Sequence, residues 1–153
     1  MTITTDDNSN QIIIRFAEIG DSGRIALLCS QLGYPTSEAA VKKRLLQIQQ
    51  NKTHAVYVAE RSDARVVGWV HIYVCPTVMT DLQAVIGGLV VNGRDRGSGI
   101  GRYLIQYAEQ WADAKGCTSV LVRSNIVRQA AHNFYERMGY SKLKTSQVFH
   151  KVI

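Results

Sequence analysis

No apolar run in the chain approaches the roughly 20 residues that a membrane-spanning helix needs. The first residues, MTITTDDNSNQ, are polar and acidic, unlike the basic and then apolar pattern of a secretory leader. A cytoplasmic protein with no membrane partner is the expectation. Cysteine is scarce: Cys29, Cys75 and Cys117 are odd in number and widely spaced, with no C-x-x-C pair and no clustered histidines. That excludes a recognisable disulfide framework or zinc site, so the three are read as buried or incidental thiols and no metal is expected. Internal repeats and linkers are also missing. The 153 residues therefore suit one domain, with residues 1–10 a loose, disordered tail lacking apolar periodicity and residues 11–153 the folded part.

Hydrophobic residues make up 46% of the chain and charged residues 20%, the composition of a soluble globular protein. The net charge of +6 points to an anionic partner. A nucleic acid is not that partner, because no DNA-reading motif and no interleaving of basic and aromatic residues is present. Lys42, Lys43 and Arg44 form the densest basic run, and they read as the solvated face of a helix whose apolar side carries Val41, Leu45 and Ile48.

Ile12 to Phe16 is β-rich, and Asp21 is placed to cap a helix carrying Ile25, Leu28 and Leu32 that Gly33 ends. Thr36 or Ser37 opens the second helix. HAVYVAE and RVVGWVHIYV, separated by the turn-compatible RSDA, read as a hairpin, and LQAVIGGLVV as a further strand. Ile100, Leu104, Tyr107, Ala108 and Trp111 recur at helical spacing before Gly116. SVLVRS then reads as a strand, the stretch with Ala131, Phe134, Tyr135 and Met138 as a helix ended by Gly139, and YSKL and SQVFHKVI as two closing strands. The expected fold is α/β (α+β), a mixed and mostly antiparallel sheet of about seven strands flanked by four helices.

Between the strand ending GLVV and the long helix lies NGRDRGSGIGR. A helix N-terminus exposes about four N–H groups and roughly half a positive charge, which makes it a natural phosphate site. Glycines 97, 99 and 101 leave those donors uncovered, and Arg94, Arg96 and Arg102 surround them with only Asp95 opposed. A diphosphate fits such a mouth. A dinucleotide fingerprint fails because Arg102 stands where the third glycine belongs, and a P-loop fails because Gly101 is followed by Arg102 and Tyr103.

Arg96-Gly97-Ser98-Gly99-Ile100-Gly101 resembles the Gln/Arg-x-x-Gly-x-Gly/Ala loop of the GNAT superfamily of acyl-CoA-dependent N-acetyltransferases, and AHNFYERMGY resembles that family's later tyrosine segment. The resemblance covers nearly the whole chain beyond the tail. It implies transfer of an acetyl group from acetyl-CoA to a primary amine by direct attack in a ternary complex, without a metal. It implies a strand ending Leu89-Val90-Val91 whose free backbone binds the pantetheine arm, with Leu89 or Val90 nearest the thioester. The loop Arg96, Gly97, Ser98, Gly99, Ile100, Gly101 and Arg102 would take the pyrophosphate. Tyr135 matches the tyrosine that protonates the departing thiolate, although it also shares a helical stripe with Ala131 and Met138, so a packing role stands beside the catalytic one. Arg128, where many relatives carry asparagine, would hydrogen-bond or pair with CoA.

The chain departs from that family at one catalytic position. Many members carry a glutamate eleven residues before the loop motif, and here that residue is Val85. Ordered water is the expected substitute, with His71 the best side-chain candidate for a base and Tyr73 on the same strand face. The alternatives are a non-catalytic, acyl-CoA-binding or sensory domain, and acetylation of a protein amine rather than a small molecule. The acceptor region, including PTVMTD with Asp81 as its single carboxylate, carries no decodable motif. The sequence leaves a homodimer open.

Overall fold

A computed structural model describes residues 2–3 and 11–153. Of the N-terminal tail, Thr2–Ile3 (β1) pairs with the first long strand, and the remainder of residues 1–10 lies outside the described residues. The other elements are β2 (Ile12–Phe16), α1 (Ser22–Leu32), α2 (Glu38–Gln49), β3 (His54–Arg61), β4 (Val66–Cys75), β5 (Gln83–Val91), α3 (Ile100–Ala114), β6 (Ser119–Val122) and α4 (Gln129–Arg137). The contacts divide the chain into two compact units, Met1–Val122 and Arg123–Ile153.

The first unit holds a six-stranded sheet in sequence order, β1 to β6. Every neighbouring pair is antiparallel except β5 and β6, which run parallel because α3 crosses between them. One face carries α1 and α2: Ile25, Leu28, Val41 and Leu45 pack with Val58, Trp69 and Val90. The other carries α3, whose Leu104, Ile105, Ala108 and Ala112 are buried. Tyr107 and Trp111, expected on the buried stripe, are only half-buried. The buried line follows positions 100, 104, 108 and 112, so Tyr107 and Trp111 fall at its margin, where Lys115 sits over the Trp111 ring.

Local chemistry explains most boundaries. Ser37, not Thr36, caps α2 by accepting a hydrogen bond from the Ala40 amide at 3.1 Å. Gly33 ends α1 with φ +95°, a left-handed conformation that glycine adopts without strain. Asp21 is the N-cap residue of α1, as expected, but its side chain makes no capping hydrogen bond to the helix. Its buried carboxylate accepts from the Arg15 guanidinium at 2.8 and 2.9 Å and from the Glu18 amide at 2.7 Å, tying β2 to the turn before α1.

The second unit contains α4, ended by Gly139 at φ +93°. YSKL and SQVFHKVI form no strand, so the sheet has six strands among the described residues instead of about seven. Their alternation is compatible with β structure, but a strand also needs a neighbour for its N–H and C=O groups, and local sequence cannot supply one. Val148 and Phe149 are exposed.

Candidate active site

The loop from β5 to α3 is built around two left-handed glycines. Gly97 and Gly99 both have φ +82°, and Gly99 is the N-cap of α3. A Cβ at Gly97 would meet nothing within 4 Å, so glycine is required there by the backbone angle and not by crowding. No side chain caps α3. Its first N–H groups, which have no partner within a helix, therefore face the loop's mouth. Arg94, Arg96 and Arg102 are exposed around it.

Asp95 does not oppose these arginines. It is buried and turned away, accepting from Arg61 Nε at 2.7 Å and from Asn92 Nδ2 at 2.7 Å. Burial by itself would raise its pKa, but those hydrogen bonds and the charges of Arg61 and Arg65 outweigh it and hold the carboxyl below its ordinary value. Ser98 Oγ donates to the Asp95 carbonyl at 2.7 Å, and Arg96 Nε donates to the Val91 carbonyl at 3.1 Å. Gln31 of α1 accepts from the Gly93 amide at 3.0 Å and donates to Asn92 Oδ1 at 2.9 Å. The loop is thus held from below, which leaves its amides and exposed guanidinium groups to receive an anion.

β5 is paired on both sides for only part of its length. With β4 it pairs from Gln83 to Val91, but with β6 the register runs only from Gln83↔Ser119 to Ile86↔Val122. Gly87 to Val91, including Leu89 and Val90, therefore present a one-sided backbone edge that leads directly into the glycine loop. The register against β4 slips between His71↔Gly88 and Ile72↔Ile86, which makes Gly87 the extra residue of a β-bulge. A Cβ on Gly87 would stand 3.3 Å from His71 Nδ1, and one on Gly88 only 2.6 Å from the Trp69 ring. Close approach requires glycine at 88, while a side chain at 87 would crowd His71 and Tyr73.

His71 thus presents Nδ1 to the bulge. Its Nε2 lies 2.9 Å from Nδ1 of His54, the two rings meeting edge to edge, and the His54 ring stacks on Tyr73 with centroids 5.2 Å apart. Burial, and secondarily the nearby His54, push the His71 pKa down to about 4. Burial lowers His54 as well. Val85, where the resemblance implies a glutamate, is buried and pairs with Tyr73. Cross-strand partners share a face, as do residues two apart on one strand, so His71 stands on the face that Val85 occupies.

In the second unit, Arg128 is the N-cap of α4 and Tyr135 lies within it. The Tyr135 ring meets Phe134 and Tyr140 edge-on at 5.3 and 5.9 Å. Burial pushes its phenol up, and the charge of Arg128 partly offsets that. The structure therefore brings the loop, the β5 edge and His71 together in one unit, and Arg128 and Tyr135 together in the other.

A glycine-lined helix mouth fed by a half-unpaired strand is the arrangement that the loop motif implies. The pattern of the acetyltransferase (GNAT) family matches residues 25–140, most of the chain. The chain belongs to the GNAT family. N-alpha-acetyltransferase 30 of Saccharomyces cerevisiae is 32% identical over 63 residues, which span 41% of this chain and 36% of that protein. Among solved structures, the aminoglycoside N-acetyltransferase AAC(6')-Iy in complex with CoA has a TM-score of 0.84 at 16% identity, covering 97% of this chain and 99% of that one. Glucosamine-6-phosphate N-acetyltransferase from Arabidopsis thaliana has a TM-score of 0.78 at 19% identity, covering 91% and 97%. A transcriptional regulator from Bacillus halodurans has a TM-score of 0.83 at 21% identity, covering 92% and 99%. These three show the shared fold.

Among the described residues no helix is long and apolar enough to cross a membrane. Nor does any group of three or more histidine, cysteine, aspartate or glutamate side chains among them stand ready to hold a metal ion. Sequence reasoning about this GNAT chain missed His54, the Arg61–Asp95 anchor and the crowding at Gly87 and Gly88. His54 left no usable signal either: counting back from the hairpin turn would set it opposite Ile72, and only the β-bulge between Ala59 and Glu60 shifts it opposite Tyr73, beside His71.

Proposed function

We propose that the protein is an acetyl-CoA-dependent N-acetyltransferase acting on the primary amine of a small molecule. The observation that carries this reading is the one-sided edge of β5 running from Gly87 to Val91 into the left-handed glycines 97 and 99. The edge offers backbone donors and acceptors to the amides of a pantetheine arm, and the mouth of α3 offers N–H groups and arginines to a pyrophosphate. Gly97 to Arg102 hold the diphosphate, with Arg128 a further cationic contact. The amide of Leu89 or Val90 stabilises the charge that develops on the thioester carbonyl.

The reaction is direct transfer. The amine nitrogen forms a bond to the acetyl carbon, the C–S bond breaks, and Tyr135 donates the proton that the thiolate needs. Its raised pKa keeps the phenol protonated until that moment. The nitrogen loses a proton to His71, the side-chain candidate that the geometry favours over water alone: its Nδ1 faces the bulge, on the face that Val85 shares and where the resemblance implies a glutamate. A pKa near 4 keeps the imidazole neutral and available at neutral pH. Such a base is weak, but an attacking nitrogen becomes much more acidic as the new bond forms, so a weak base suffices.

Two fold neighbours named for acetylating an amino sugar phosphate and aminoglycosides support a small-molecule acceptor. The relative named N-alpha-acetyltransferase favours a protein amine instead, through a match over a minority of both chains. Measuring thiol release from acetyl-CoA across amino sugars, polyamines and peptide N-termini, beside calorimetric CoA binding, tests the reading. Tight binding with no turnover on any amine would favour a non-catalytic acyl-CoA-binding domain.

A further inference from the structure

His54 comes from β3 and His71 from β4, yet their ring nitrogens meet at 2.9 Å, a hydrogen bond in which only one ring can supply the proton. The pair is not a solvated surface contact. His71 is mostly buried, Tyr73 stacks on His54 from the directly opposed register position, and the missing side chain at Gly87 leaves Nδ1 of His71 its opening. The bond involves Nε2 of His71, so it decides what the other nitrogen can do. If Nε2 carries the hydrogen, Nδ1 keeps a lone pair aimed at the bulge. If Nε2 is bare, Nδ1 carries the hydrogen and cannot accept another.

We propose that His54 is a positioning residue that accepts the Nε2–H of His71 on its own Nδ1, fixing the tautomer in which His71 Nδ1 is free to take the proton of the acceptor amine. The inference rests on the reading of His71 as the base. In the step, the N–H bond of the attacking nitrogen breaks, its electron pair stays on nitrogen, and a new N–H bond forms at His71 Nδ1. The imidazolium then holds its second proton against the His54 lone pair until Nδ1 releases the first to water. A neutral partner suits this site, since a carboxylate in the same place would hold His71 protonated, whereas His54 orients the ring and leaves it a proton acceptor. His54 matters through direction as well. Stacked on Tyr73, it sets the plane in which the His71 ring turns.

Two measurements test the proposal. Nitrogen-15 NMR of the histidine rings should find His71 with hydrogen on Nε2 in the intact protein, and a mixture of tautomers in His54→Ala. In steady-state kinetics His54→Ala should lose part of the roughly 10²- to 10⁴-fold that a base contributes to kcat, with the KM for acetyl-CoA unchanged. His54→Asn, whose amide oxygen can accept the same hydrogen, should recover some of the loss, which a purely structural role would not require. An Nδ1–H tautomer in the intact protein overturns the proposal. Full turnover in His54→Ala beside an inactive His71→Ala would remove the positioning role and leave the base standing. Full turnover in His71→Ala would remove the base and the positioning role together.

Discussion

Asp95 and Arg61 form a buried ion pair beneath the loop that carries Gly97 and Gly99, joining the end of β3 to the turn after β5. The acidic residue in the middle of the basic cluster therefore anchors the site and leaves its charge uncancelled at the mouth.

Asp95→Ala leaves Arg61 facing a carboxylate that is no longer there. Removing one partner of a buried pair costs roughly 3–5 kcal/mol, and the lower end applies because Arg61 keeps some access to water. We expect a lower midpoint in urea and a weaker affinity for CoA. Asp95→Asn, which retains the hydrogen-bonding shape, should lose less of both. An Ala variant with undiminished CoA affinity would show that the loop does not depend on its anchor.

Gly99→Val places a β-branched side chain at φ +82°. The left-handed conformation costs an ordinary residue roughly 1–2 kcal/mol, and a branched one more. The variant should stay folded while the thermal shift produced by acetyl-CoA shrinks sharply. Gly99→Asn, which tolerates that conformation better, should fall in between. Unchanged binding in the Val variant would remove the pyrophosphate assignment.

His71 titrates near 4 in the folded chain against an ordinary 6.5. As the pH falls from 6.5 towards 4 the unfolded chain takes up this proton and the folded chain does not, so the group's contribution to stability is present above 6.5 and is lost through that window. The loss is on the order of 3 kcal/mol at most, since each unit is worth about 1.4 kcal/mol and His54 shares the proton. His71→Asn should flatten the stability profile between pH 6.5 and 5, above the range where most carboxylates titrate. Urea melts at several pH values would show it, and an unchanged slope would count against a buried, neutral His71.

Tyr135→Phe keeps the ring that meets Phe134 and Tyr140 and removes the hydroxyl. A packing role predicts a stability change of about 1 kcal/mol or less with turnover intact. An acid role predicts a fall in kcat of about 10²-fold or more, with acetyl-CoA affinity near that of the unaltered protein. Calorimetry with steady-state kinetics separates the two, and wild-type kcat in a regime limited by chemistry would rule out Tyr135 as the acid.

The order of elements and the glycine loop before α3 were legible in the chain because both are local. The helix from Ile100, the cap at Ser37 and the stops at Gly33 and Gly139 follow from spacing and from backbone angles that neighbouring residues set. The loop was readable for the same reason, since its glycines and arginines lie within a few residues of the helix they precede. The two closing strands were misread because alternation states a compatibility with β structure, while a strand also requires a partner from elsewhere.

What the sequence by itself determined is the family, the α/β layering and a glycine-rich, arginine-flanked mouth to α3 at residues 96–102, each encoded in short-range pattern and backbone chemistry. Only the tertiary structure decided that Asp95 turns inward to Arg61, that β5 loses its second neighbour after Ile86, and that His54 reaches His71. The first two depend on how elements far apart in the chain are brought together, Arg61 at the end of β3 with the turn after β5, and β5 with the short β6. The third depends on the β-bulge that sets the β3–β4 register, where a slip of one residue would send the two histidines to opposite faces, and no local pattern fixes that choice.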